Sequence, residues 1–161
     1  MFDRFLQWLE STPPAIAISE SSWLFPGIES LHVLAIALVV GSITMVDLRL
    51  LDINLRERPV GELIAEVLPW TWTSFAVALF SGALLFSSNA THYWSTVPFR
   101  AKMVLLALAG INMLAYHATI HRSIDLWGRR PPTPRAAKIS GGLSLGLWIG
   151  VVVLGRWIGF V

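Results

Sequence analysis

The sequence predicts an all-α integral membrane protein: a four-helix up-down bundle with a short N-terminal amphipathic helix. Three observations carry this. Four apolar stretches of membrane-crossing length take up most of the 161 residues. Nearly all of the charge falls between them, and tryptophans gather near their ends. At 55% hydrophobic and 14% charged, with eight Trp, the composition lies far from that of soluble proteins. One transmembrane domain over residues 1–161 is expected.

The elements follow in chain order. Met1–Thr12 carries Asp3, Arg4 and Glu10 and lacks the basic-then-apolar order and small-residue cleavage site of a signal peptide, so it is expected to persist on the mature protein. Phe2, Phe5, Leu6, Trp8 and Leu9 recur at helical spacing. They predict a surface helix ended by Pro13 and Pro14, the alternative being a flexible terminus. The spans are expected at approximately Ile28–Leu50, Val67–Ser87, Ala101–Ile120 and Ile139–Phe160. Each is near the ~20 residues a helix needs to cross ~30 Å of hydrocarbon.

Basic residues set the expected orientation. The connections after the first and third spans hold Arg49, Arg56, Arg58, Arg122, Arg129, Arg130, Arg135 and Lys138, against Arg4, Arg100, Lys102 and Arg156 on the other side. Eight against four places both termini outside the cytoplasm, hence periplasmic in a bacterial inner membrane. Trp23, Trp94 and Trp157 then mark the outer interface, and Trp70, Trp72 and Trp127 the inner one. Gly128–Lys138, with three prolines among basic residues, reads as an extended polar connector that need not carry function. The net charge of +2 thus has a topological explanation, and nucleic acid is set aside as a partner. The lipid bilayer is the expected environment. With no Cys, thiolate metal sites, disulfides and thioether-linked haem are excluded, and any haem must be held non-covalently. No HExxH, nucleophile–base set or phosphate loop is present.

Polar residues inside the spans are the functional candidates, because ionisable groups there are costly to bury without a purpose. His32 lies about one turn into the first span, with Glu29 before it and Asp47 near the other end. A hydrogen bond to a neighbouring helix or to interfacial water would also account for it. His92, beside Tyr93 and Trp94, fits an interfacial aromatic cluster as well as it fits ligation. The third span carries Arg100 and Lys102 at one end, Asn112 inside, and Tyr116, His117 and His121 at the other. His117 and His121, four apart, share a helix face. That suits two ligands to one small metal ion but not the two opposite axial positions of one haem. Solvation of the helix end and its negative dipole is the competing explanation.

His32 and His117 fall near opposite membrane faces, ten to twelve helical positions apart, or ~15–18 Å along the normal. They cannot share one iron. Lys102 and Met103 lie at the depth of His32, and Met45 and Asp47 at that of His117. Haem is held by His with Met or by a single His, so both His32 and His117 are candidate ligands to haem or to a metal ion. In the fourth span, Gly142, Gly146 and Gly150 form a repeated GxxxG, read as a face for close packing within the chain or on another subunit. Arg156 can snorkel or pair with a haem propionate.

The run Trp23-Leu-Phe-Pro-Gly-Ile-Glu-Ser-Leu-His32, followed by Gly41-Ser and by Asp47-Leu-Arg-Leu-Leu51, resembles an uncharacterised family of small bacterial four-span membrane proteins. More distantly, a first-span His followed by Gly and Arg, with a third span opening at Lys102 and closing in Tyr116-His117, is similar to HemJ-type protoporphyrinogen oxidases and CopD-like proteins. This resemblance implies a bundle binding haem b or handling copper, with His32, Arg49, Lys102 and His117 at the matching positions. The chain differs from the oxidases in placing Asp47 beside Arg49 and in lacking an aromatic-rich first span. The expected function is a haem-b-binding, electron-transferring component of a larger redox system. A cofactor-free membrane scaffold subunit and a copper-handling permease are the alternatives.

Overall fold

The computed structural model describes residues 1–129 and 132–160, and among these every regular element is helical. Arg130 and Pro131, part of the expected basic connector, and Val161 lie outside the described residues. The chain opens with α1 (Phe2–Glu10), where Asp3 complements the positive helix start and Leu6 is the buried residue. The first helix stops before Pro13 and Pro14, as expected, and the same two prolines begin α2 (Pro13–Glu20). Proline at the first helical positions gives up only N–H groups that have no intrahelical partner, so it starts a helix as readily as it stops one.

Four segments are long and apolar enough to span a membrane. The first two are α3 (Leu24–Leu50) and α4 (Val60–Ser88). After α5 (Ala90–Ser95), the third comprises α6 (Val97–Ala115), a π-turn (Tyr116–Ile120), a 3₁₀ turn (His121–Ser123) and α7 (Ile124–Trp127). The fourth is α8 (Arg135–Trp157) with a final 3₁₀ turn, Ile158–Phe160. The predicted multi-pass helical bundle is therefore present, with longer helices than expected. α4 starts at Val60, not Val67, because its first turns are amphipathic: Val60, Leu63, Ile64 and Val67 are buried while Glu62 and Glu66 are exposed. Unbroken apolarity marks only the lipid-facing part of such a helix. Pro69 sits inside α4. Neighbouring helices in a membrane bundle tolerate the missing N–H.

α3 packs along α4, α6 along α8, and α3 against α8 joins the pairs, giving the order α4–α3–α8–α6. One end carries α1, α2, α5 and the C-terminal turn, and is called the terminal end. There α1 packs on α5, α2 packs on α4, and Phe2 stacks at 4.9 Å on Trp94 within a cluster that includes Tyr93, Phe86 and Phe99. His92 joins this aromatic group. The other end, with the connections 51–59 and 128–134, is the arginine end. It holds the best-buried core: Leu50, Val60, Ile64, Tyr116 and Ala137, flanked by Ile120, Ile124 and Trp127.

The glycine strip does not act as one packing face within the chain. A Cβ at Gly150 would stand 2.7 Å from Leu105 Cδ1, but Gly142 meets only Leu51 at 3.7 Å and Gly146 faces open space. At Gly141 a Cβ would lie 3.1 Å from Leu50 Cβ and 3.3 Å from the Asp47 carbonyl, so here the backbone of α3 itself lies against α8. Gly141 is one position off the strip, which rotates the contact by about 100° around α8.

Candidate functional site

Polar side chains within the bundle gather in three places. Near the terminal end, α3 presents His32 to α4 at Ser81 and Gly82. His32 Nδ1 and Ser81 Oγ are 2.9 Å apart. The Ser81 hydroxyl donates its only proton to Val77 O at 2.7 Å, with Ala78 O at 3.3 Å. With the Ser81 proton on Val77 O, Ser81 Oγ accepts from His32 Nδ1–H, the tautomer that leaves the lone pair on Nε2. Gly82 is required beside it, since a Cβ there would stand 2.9 Å from His32 Cε1. From α6, the Lys102 chain lies over Gly155 of α8, 3.5 Å from where its Cβ would be, and the ammonium is near enough to act electrostatically on His32. The structure therefore brings His32 and Lys102 together. Met103, the next residue, faces outward from α6 at 39% exposure. Arg156 is stacked on Phe160, 4.9 Å from the ring centre.

At the arginine end, within the bundle, Asn112 and Ser140 tie α6 to α8 reciprocally: Asn112 Nδ2 donates to Ser140 O at 3.0 Å, and Ser140 Oγ to Asn112 Oδ1 at 3.1 Å. Ser144 of α8 lies beside the Asp47 carboxyl. The π-turn places Tyr116, His117 and His121 in mutual ring contact, at centroid distances of 5.1–6.0 Å. His117 Nδ1 bonds Met113 O at 2.9 Å. His32, near the start of the first span, and His117, at the end of the third, lie at opposite ends of two spans that run in the same direction, and the structure does not bring them together.

The third group joins the ends of α3 and α8 to the two connections at the arginine end, and was not expected from the sequence. Arg49, fully buried, uses its whole guanidinium on the protein. Nε donates to Arg58 O at 2.8 Å, Nη1 to Asp52 Oδ1 at 3.2 Å and Thr133 Oγ at 3.3 Å, and Nη2 to Gly128 O at 3.4 Å. Asp52 in turn accepts from Thr133 N at 3.1 Å and Thr133 Oγ at 2.7 Å, and pairs with Lys138 at 2.9 Å. Burial alone would raise the Asp52 carboxyl, but bonds from Thr133 and Lys138 outweigh it and hold the group at about 2. Arg49 is thereby far from the His32 turn, at the opposite end of α3, and its donors are committed. The connector expected to be merely extended is half of this clasp: Thr133 is buried, and Arg135–Lys138 already belongs to α8. Asp52 and Leu55 adopt positive φ, 57° and 53°, which turns the first connection back toward Arg49.

The residues that a single-histidine haem would use here are His32, whose ring is anchored through Nδ1 on Ser81, and Lys102 as the nearby cation. A small-metal site fits less well. Among the described residues no three His, Asp or Glu side chains converge to hold an ion.

No curated protein and no solved structure matches the chain, so the similarity to HemJ-type and CopD-like proteins gains no relative in support. A family of unknown function, DUF6644, matches residues 23–161, the region from the start of α3 onward that contains all four spans and all three polar groups. The chain belongs to that family, DUF6644.

Proposed function

We propose that this protein is a multi-pass membrane haem-b protein that passes electrons, with His32 as the axial ligand. The observation that supports this best is the 2.9 Å contact of His32 Nδ1 with Ser81 Oγ, which anchors the ring through one nitrogen and makes the other the ligand atom when Nδ1–H donates. Such outer-shell bonds hold the ring and raise its basicity. Lys102 would pair with an anionic substituent of the bound group. Haem, when bound, supplies one-electron chemistry, and the protein supplies ligation and position.

The eight-to-four asymmetry of basic residues supports termini outside the cytoplasm, with the arginine end inside. The His32 site then lies in the outer half of the membrane. Exposed Gly142 and Gly146 offer a strip of small residues to a second subunit or redox partner.

The test is the absorption spectrum of protein purified after expression with ample haem. A Soret band is expected, lost in His32→Ala and unchanged in His121→Ala. Ser81→Ala should weaken haem affinity by roughly 10–100-fold, as loss of outer-shell partners does. Haem spectra intact in both His32→Ala and His117→Ala would overturn the ligand assignment. Protein free of haem would favour the scaffold, and stoichiometric copper the permease.

A further inference from the structure

The buried group within the bundle at the arginine end has no part in the haem reading, yet it holds the least satisfied polar atoms of the molecule. Among the described residues, the buried side-chain polar atoms without a hydrogen-bond partner are Asp47 Oδ2, Tyr116 OH and His121 Nδ1. Asp47 is 4% exposed and Tyr116 6%. All three lie at one end, on α3 and on the two short turns that continue α6. Buried polar atoms are paired in the large majority of native cases, so three orphans in one place point to a guest.

Backbone geometry brings the second and third together. In a continuous α-helix, residues five apart point about 140° away from each other. The π-turn over Tyr116–Ile120 widens the helix, and the rings of Tyr116 and His121 come to 6.0 Å. Asp47 is near enough for its charge to act on the Tyr116 hydroxyl, and Ser144 flanks its carboxyl from α8. Single π-turns inside long helices are concentrated at functional sites.

An ionised carboxylate in this position needs a positive partner, and among the described residues no ion pair reaches Asp47. α8 contributes Ser144 and its one nearby cation, Lys138, which is paired with Asp52. On α3 itself, Arg49 is committed to Asp52, Thr133 and backbone carbonyls. The titratable residues of α4, Glu62 and Glu66, are exposed, and Glu66 pairs with Arg58. From the third span come Tyr116, His121 behind it, and His117, whose Nδ1 bonds Met113 O. A lone carboxylate in a membrane interior is expensive, and neutralising it is the cheapest relief.

We propose that the buried Asp47 carboxyl is an intramembrane proton-binding site at the arginine end of the bundle. Binding forms an O–H bond at the Asp47 carboxyl, and release breaks it, the proton leaving to water at that end. The ligand is the proton itself, and no other reactant is needed.

Infrared spectroscopy of the full chain in lipid bilayers, labelled with 13C at the aspartate carboxyls, tests this directly. The sequence has four aspartates. Asp3 and Asp125 are exposed, and Asp52 is ion-paired with Arg49 and Lys138. A protonated-carboxyl band carrying the label at neutral pH is therefore expected from Asp47 alone. It should vanish in Asp47→Asn and shift in Tyr116→Phe. If Asp47→Asn does not fold, the labelled wild-type chain still decides. Aspartate bands that are wholly ionised at neutral pH, including a carboxylate band that moves on adding sodium, would overturn the proposal, as would a protonated band that survives in Asp47→Asn.

Discussion

At the scale of single residues, the clasp at the arginine end has the largest energetic consequences. Arg49 is buried with all three guanidinium nitrogens hydrogen-bonded, so removing its charge leaves Asp52 buried between Thr133 and a single cation. Arg49→Ala should cost ~3–5 kcal/mol, the usual penalty for breaking one partner out of a buried ion pair. Unfolding in detergent, followed by circular dichroism, measures this. Asp52 adds a pH dependence. Its folded value of about 2 lies below the unfolded 3.8, so the folded state binds the proton less readily. Its contribution is fully present above about pH 4 and is lost as pH falls toward 2. Acid unfolding in that window should be steeper in the wild type than in Asp52→Asn.

At the scale of elements, glycine substitutions separate helix packing inside the chain from contacts outside it. At Gly141 the backbone of α3 lies against α8, with backbone as well as side chain in the way of a Cβ. Gly141→Leu should destabilise the bundle by at least the ~1–3 kcal/mol typical of overpacking. Gly146→Leu, facing open space, should leave the melting temperature of the single chain unchanged. If Gly146 lies in a subunit contact, size-exclusion chromatography with light scattering will show the oligomer lost in Gly146→Leu. Gly82→Ala probes the terminal end. Its Cβ would push on His32, so haem binding should weaken while helicity is retained.

At the scale of the whole molecule, the bundle is polarised. Its densest apolar packing, its clasp and its unpartnered polar atoms all lie at the arginine end, while the terminal end is held by an aromatic cluster and two short helices. Reporter fusions at Pro132 and at the C-terminus should report opposite sides of the membrane from each other, Pro132 cytoplasmic. A cytoplasmic C-terminus would reverse the proposed orientation. The polarity also predicts that removing α1 and α2, which precede the region shared with the family, loosens the terminal end and leaves the clasp in place. Hydrogen exchange along α3 would show protection reduced near His32 and retained near Arg49.

The sequence by itself determined that this is a helical membrane protein with four spans, because apolarity over ~20 residues is a local property that needs no knowledge of neighbours. It also determined the depth separation of His32 and His117, since helical rise converts residue number into distance. Only the tertiary structure decided what each polar residue does. Arg49 read as one basic residue among eight, and became the centre of a buried network only when residues 58, 128 and 133 folded over it. Ser81 was one small residue of an apolar helix until α3 set His32 against it. The packing glycine was Gly141 and not its neighbour Gly142, because the rotation of α8 about its own axis is fixed by its contacts with α3 and α6. The π-turn that joins Tyr116 to His121 left no mark in composition or periodicity. Hydropathy registers how apolar a segment is, and partners are set by which face of each helix meets which, a property that exists only once the helices have packed.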